Sequence, residues 1–221
     1  MFYYDIHTHN ITQNKENTIS IVNLPDGDNS MLLDIDNIYF SKGIHPAHIS
    51  GFLDENAIIN IREQLNNPRI VAIGECGIDH LAHNAKLDEQ TRVFEQMILL
   101  SEKIQKPLIV HNVRATGEIM QLFKKYRPKQ TWIIHGFRGN IQTAQQLQRL
   151  GIWLSLGPRY NDSIFTSQYL DMDKILLETD GKQGIQIKNI YREIAQNAKM
   201  DDENFTTLIR QNVRKVFRTL P

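Results

Sequence analysis

The sequence predicts an α/β fold in which a parallel sheet closes as a (β/α) barrel. Two observations carry that expectation. Short apolar, β-prone runs alternate with amphipathic stretches along most of the 221 residues, giving about eight strand candidates. Imidazoles or carboxylates then stand at the C-terminal ends of five of those strands. A closed parallel sheet gathers such ends on one face, whereas the outer strand ends of an open sheet lie too far apart to share a small site.

Taken in order, Phe2–Ile6 is aromatic and β-prone and reads as a buried first strand. Thr18–Leu24 is a second β-like run, closed by the turn-rich Pro25–Ser30, and Ile38–Ile44 is a third. Asp54 is placed to cap a helix through Leu65, and Arg69–Gly74 reads as a strand. Asp88 is placed to cap a long helix whose Val93, Phe94, Met97, Ile98 and Ile104 form one apolar stripe. Strands at Pro107–Val110 and Thr131–Ile134 follow. The helix between them carries Ile119, Met120, Leu122 and Phe123, and the one after them carries Ile141, Ala144, Leu147 and Leu150. Ile152–Leu156 and Lys174–Leu177 complete the strands, and Phe205, Leu208, Ile209, Val213, Val216 and Phe217 stripe a C-terminal helix. The strand interiors are apolar on both faces, as helices on both sides of a parallel sheet require. No repeat or flexible linker divides the chain, so 1–221 reads as a single domain.

Composition narrows the class. Lys and Arg number 25 against 25 Asp and Glu, a balance that argues against a non-specific nucleic-acid coat but not against a nucleic-acid enzyme with a local basic patch. The single Cys76 excludes an internal disulfide and suits a reducing compartment. No apolar run approaches the ~20 residues of a membrane span and no signal segment opens the chain. The expectation is a cytoplasmic globular domain with no membrane association and no obligate protein partner.

His7 and His9 follow the first strand; Glu75, His111, His135 and Asp180 each follow a later one. Four imidazoles and two carboxylates make a nitrogen–oxygen donor set that suits Zn²⁺, Mn²⁺ or Fe²⁺ and, through its carboxylates, Mg²⁺. Six donors exceed the three protein ligands of one catalytic zinc, so one or two ions are expected. A pair of ions can clamp the attacking and leaving oxygens of an ester. In His7-Thr8-His9, residues two apart on an extended chain face the same side, so both rings can reach one ion.

The segments Asp5-Ile6-His7-Thr8-His9, Gly43-Ile44-His45-Pro46, Gly74-Glu75-Cys76-Gly77-Ile78-Asp79, His111, His135-Gly136-Phe137 and Glu178-Thr179-Asp180, in this order, resemble the TatD family of metal-dependent hydrolases. The resemblance spreads over residues 5–180 and rests on six segments agreeing together. It implies a TIM-type barrel with one or two divalent ions at its mouth, and DNase or phosphodiesterase activity. By the same resemblance His7, His9 and Asp180 hold one ion, Glu75 bridges, and His111 and His135 hold the second. His45 is then a substrate-phosphate contact, and Arg114 stands near a basic substrate-binding position of the family. The segment 10–41 is short against this pattern, which implies a degenerate second β/α unit. Gly181-Lys182 replaces the usual small residue and proline after Asp180.

The other polar residues read more plainly. His48, His80 and His83 are expected to be solvated, with lining of the barrel mouth the other reading of His80 or His83; Cys76 is expected to be a packed thiol, and Asp79 either a partner of a ligand histidine or a turn former. Arg138 and Arg159 are open to two readings, phosphate contact or ordinary surface arginine. The expected function is hydrolysis of a phosphodiester, most plausibly at DNA ends, with Asp180 and Glu75 as catalytic residues and a metal-activated water as nucleophile. The same donors would equally serve a barrel hydrolase cleaving an amide, lactone or carboxylic ester, or a non-catalytic metal-binding barrel.

Overall fold

The computed structural model describes residues 2–11, 17–25, 35–49 and 55–221. Eight strands form one sheet in sequence order: β1 Tyr3–Thr8, β2 Thr18–Asn23, β3 Ile38–Lys42, β4 Ile70–Asp79, β5 Leu108–Val113, β6 Trp132–Ile134, β7 Trp153–Leu156 and β8 Ile175–Leu177. Among the described residues six α-helices accompany them: α1 Glu55–Gln64, α2 Leu87–Ile104, α3 Thr116–Tyr126, α4 Ile141–Leu150, α5 Ile187–Asn197 and α6 Asp202–Val216. The pairs β1–β2, β3–β4, β4–β5 and β7–β8 run parallel. The fold is a TIM-type (β/α) barrel, as the sequence predicts. Residues 12–16 and 26–34, on which the expectation of a degenerate second β/α unit falls, lie outside the described residues, as does the Asp54 cap.

The chain divides into two compact units. The first comprises Met1–Val22, Asp34–Tyr39 and Ile134–Pro221. Here the Tyr191 hydroxyl of α5 accepts the Tyr4 amide hydrogen (3.0 Å) and donates to the Tyr4 carbonyl (3.3 Å), fixing that helix against β1. Asn212 of α6 donates to the carbonyls of Met172 and Ile175 at 2.8 and 2.9 Å, which fixes α6 to the start of β8. Asn140 caps α4 through the Thr143 amide (2.9 Å), and Gly151 ends it at φ 97°, a conformation that glycine adopts without strain. The sequence reading passes over α5, although Ile187, Ile190, Tyr191, Ile194 and Ala195 are buried at helical spacing.

The second unit comprises Asn23–Leu33 and Phe40–Ile133. Its core centres on Trp132, fully buried between Phe94 of α2 and Phe123 of α3, with ring centroids 5.2 and 5.1 Å away in edge-to-face contact. The buried amide of Gln90 accepts from the Asp79 N–H (2.8 Å) and donates to the Asp79 carbonyl (3.1 Å), pinning α2 to the end of β4. Helix α2 begins one residue before Asp88; its N-cap is Lys86, whose N–H donates to the Glu89 carboxylate at 2.8 Å.

Strand β4 runs five residues past the expected end at Gly74. A glycine is what allows it to continue. A Cβ on Gly77 would lie 2.0 Å from the His111 carbonyl oxygen, so glycine alone admits the close pairing Gly77↔His111. Likewise β5 runs on to Val113 and β1 to Thr8. His7, Glu75 and His111 therefore sit within strands rather than on the turns that follow them.

Candidate metal centre

In the first unit the end of β8 is tied to β1. The Asp5 carboxylate accepts both the amide hydrogen (2.9 Å) and the hydroxyl (2.6 Å) of Thr179. Burial pushes the Asp5 carboxyl up to about 7, against the opposing effect of those two hydrogen bonds. The Asp180 amide donates to the His7 carbonyl at 3.1 Å. Asp180 itself has φ 55° and Gly181 φ 64°, so the chain turns sharply here. A Cβ on Gly181 would fall 2.9 Å from the His9 Cβ, and the Asn10 side chain donates to the Gly181 carbonyl at 2.6 Å.

This turn brings a carboxylate to three imidazoles. The Nε2 atoms of His7 and His9 each lie 3.9 Å from Asp180 Oδ1. The His7 ring centre is 4.9 Å from that of His9 and 4.4 Å from that of His135. Donor atoms of His7, His135 and Asp180 all lie within 4.8 Å of one another. A separation of 3.9 Å is too long for a hydrogen bond. It suits donors around an ion with bonds of about 2.0–2.2 Å, whose ligand atoms stand roughly 3–4 Å apart.

Behind His135 stands Glu178, fully buried. Its Oε1 accepts the Gly136 amide hydrogen at 2.8 Å and lies 3.3 Å from His135 Nδ1. That contact places the ring proton on Nδ1 and leaves the Nε2 lone pair for a ligand, the usual support of a metal-binding imidazole. The other Glu178 oxygen is buried and has no hydrogen-bond donor among the described residues. Negative charge held out of water in this way is compensated by a cation. The residues present therefore fit a divalent ion.

A second cluster lies in the second unit. The Asn23 side-chain oxygen accepts the Glu75 amide hydrogen at 2.7 Å and the Ser41 hydroxyl at 3.1 Å. His111 Nε2 donates to Asp79 at 3.1 Å, so the Nδ1 lone pair faces the Glu75 carboxylate, with which it is in direct contact. A lone pair against a carboxylate needs a proton or a cation between them, and Glu75 with His111 fits the latter. His45 Nε2 stands 3.2 Å from His111 Nδ1 and 3.3 Å from Glu75 Oε1.

The His45 tautomer is decided by its other nitrogen. His45 Nδ1 accepts the Ala47 amide hydrogen at 3.0 Å, so in the neutral ring Nε2 carries the proton. A protonated Nε2 donates hydrogen bonds and has no lone pair for a metal. The ring is built to donate toward an anion. Arg114 stands exposed just after β5, at φ 55°, and among the described residues no hydrogen bond or ion pair joins it to the cluster.

Glu178, Thr179 and Asn23 have roles at these clusters that the sequence expectations do not include. For the first two a signal existed: three polar residues directly after a three-residue apolar strand. His80, expected in solvent, pairs at the surface with Glu118 at 2.9 Å.

Nitrogen and oxygen donors gathered at the C-terminal ends of barrel strands define a metal-dependent hydrolase. Residues 29–218 match the family described as TatD related DNase, and the chain belongs to that family. It is 29% identical over 199 residues to a protein of Buchnera aphidicola subsp. Baizongia pistaciae named a metal-dependent hydrolase, covering 82% of this chain and 74% of that one. It is 25% identical over 201 residues to the 3'-5' ssDNA/RNA exonuclease TatD of Musicola paradisiaca, covering 80% and 76%. Among solved structures it resembles the TatD homolog YjjV of Escherichia coli, with a TM-score of 0.86 at 18% identity over 99% of this chain and 98% of that one. Among the described residues no helix is long and apolar enough to cross a membrane.

Proposed function

We propose that this protein hydrolyses phosphodiesters at the ends of DNA, with one or two divalent ions (Zn²⁺, Mg²⁺ or Mn²⁺) as cofactor. The observation that carries this reading is the convergence of His7, His135 and Asp180 donor atoms within 4.8 Å, with buried Glu178 behind His135. His7, His9, His135 and Asp180 would hold one ion, and Glu75 with His111 a second. A bound divalent ion polarises a phosphoryl oxygen and lowers the pKa of water toward neutrality.

The remaining work falls to the chain. Asp180 orients the attacking water and takes its proton. His45 donates from Nε2 to a phosphoryl oxygen, offsetting the charge that develops as phosphorus is attacked. Arg114, exposed at the β5–α3 turn, meets the substrate phosphate. The activity in the name of the Musicola relative supports a polynucleotide over a carbonyl substrate. The single thiol, Cys76, suits action in the cytoplasm.

The test strips metal from the purified protein and restores Mg²⁺, Mn²⁺ or Zn²⁺ with end-labelled single-stranded DNA, beside an ester and a lactone. Stepwise shortening that depends on metal, and that Glu75→Ala and Asp180→Asn both abolish while folding normally, is the expected result. Turnover of the ester or lactone alone would overturn it.

A further inference from the structure

Two arginines of the first unit follow the ends of adjacent strands without belonging to the donor cluster, and one of them, Arg159, reaches Asp180. Arg138 follows β6, and the Phe137 amide just before it donates to the Ser155 carbonyl of β7 at 2.9 Å. Arg159 follows β7 on a turn closed by the Tyr160 amide and the Gly157 carbonyl at 3.0 Å. Both therefore rise from the C-terminal ends of adjacent strands. Their charges act on each other: Arg138 is held below its ordinary pKa by partial burial and by Arg159, while Asp180 and Glu178 oppose the shift.

Three features show what this pair can do. First, the turn carrying Arg159 is anchored. The Tyr160 hydroxyl donates to Glu193 at 3.0 Å and accepts from Asn197 at 2.5 Å, both on α5, and its ring packs edge-on to Phe165. Second, Arg159 Nη2 approaches Asp180 Oδ2 at 3.9 Å, whereas His7 and His9 face Oδ1. The guanidinium and the two imidazoles thus approach different oxygens of the carboxylate. Third, 3.9 Å is no hydrogen bond, and among the described residues neither arginine side chain donates one, so both planar forks remain available.

We propose that Arg138 and Arg159 form a seat for one backbone phosphate of a polynucleotide, adjacent to the phosphate being cleaved. Two like charges carried just past the ends of adjacent strands are relieved by an anion between them, and guanidinium forks match phosphate oxygens. The seat rests on the nuclease reading and deepens it: the substrate is a chain with a second phosphate near the scissile one.

Binding is measured by fluorescence anisotropy with a labelled ten-nucleotide single strand and chelated, metal-free protein, so that no cleavage intervenes. The double variant R138Q/R159Q is expected to raise Kd about tenfold and to flatten the slope of log K against log salt by about 0.7, the value for one phosphate contact on a single strand. Arg149→Gln, in the last turn of α4, removes one arginine charge away from the seat and is expected to leave the Kd and the slope essentially unchanged. Wild-type protein that does not bind the strand, or a folded double variant with unchanged Kd and slope, would overturn the seat, as would an equal effect of Arg149→Gln. Where the glutamines impair folding, R138K/R159K keeps the charge and gives up the fork. A weaker Kd at constant slope is then expected, and an unchanged Kd overturns the seat. Arginine-dependent binding without cleavage under any metal would sink the nuclease reading and leave the seat standing. Cleavage with unaltered binding by the double variant would do the reverse.

Discussion

The amide hydrogen of Glu75 ends on the side-chain oxygen of Asn23, 2.7 Å away, and the same oxygen takes the Ser41 hydroxyl at 3.1 Å. One residue of β2 thus holds the backbone from which the Glu75 carboxylate projects. Asn23→Ala leaves a buried N–H and a buried hydroxyl without their acceptor, at a cost of about 1–3 kcal/mol. A lower urea midpoint together with a reduced kcat is expected. Unchanged stability with full activity would remove Asn23 from the support of Glu75.

Glu178 offers a cleaner separation of metal binding from folding. Glu178→Gln keeps an oxygen for the Gly136 amide but removes the charge behind His135. Loss of such a partner lowers metal affinity by roughly 10–100-fold. Competition against a chromophoric chelator reads that directly, and equal affinity of the variant and wild type would argue against a metal on His135.

Gly77 tests the pairing of β4 with β5. Its φ of 152° and the 2.0 Å gap from a notional Cβ to the His111 carbonyl leave no room for a side chain. Gly77→Ala is expected to cost more than about 3 kcal/mol, or to displace His111, because backbone cannot yield as a side chain can. Denaturant unfolding and metal titration on the same sample distinguish the two results.

Chelation should reveal the ions thermodynamically. A ligand present at 100 times its Kd stabilises the folded state by about 2.7 kcal/mol. The melting temperature should fall on adding a chelator and recover with metal, and Asp180→Asn should shrink that difference.

Cys76 is fully buried, and burial pushes its thiol up. Its alkylation by iodoacetamide at pH 8 should be negligible in the folded protein and complete in denaturant. Rapid labelling under native conditions would mean that the second unit opens locally around β4.

The strands were legible because a covered parallel sheet writes itself as short apolar runs, and Ile70–Ile73, Leu108–Val110 and Ile175–Leu177 do so plainly. Their ends were less so. Gly74 and Gly77 look like breaks in isolation, and only the proximity of β5 shows them to be what keeps β4 paired. At the centre, histidines after strands announce themselves, whereas the residues that orient them do not. Nothing local in Asn23 says that it will meet an amide 52 positions away. Helix α5 was obscured by its polar residues, which outnumber the five that it buries.

His7, Glu75 and His111 are carried inside strands, while Arg114, Arg138 and Arg159 are carried on the turns beyond them. The former inherit the stiffness of the sheet; the latter are spliced onto it. Such a chain can be retuned in what it recognises by exchanging a few turn residues, with the reactive apparatus handed down intact. For protein engineering, the turns after β6 and β7 are therefore the places to graft a new appetite.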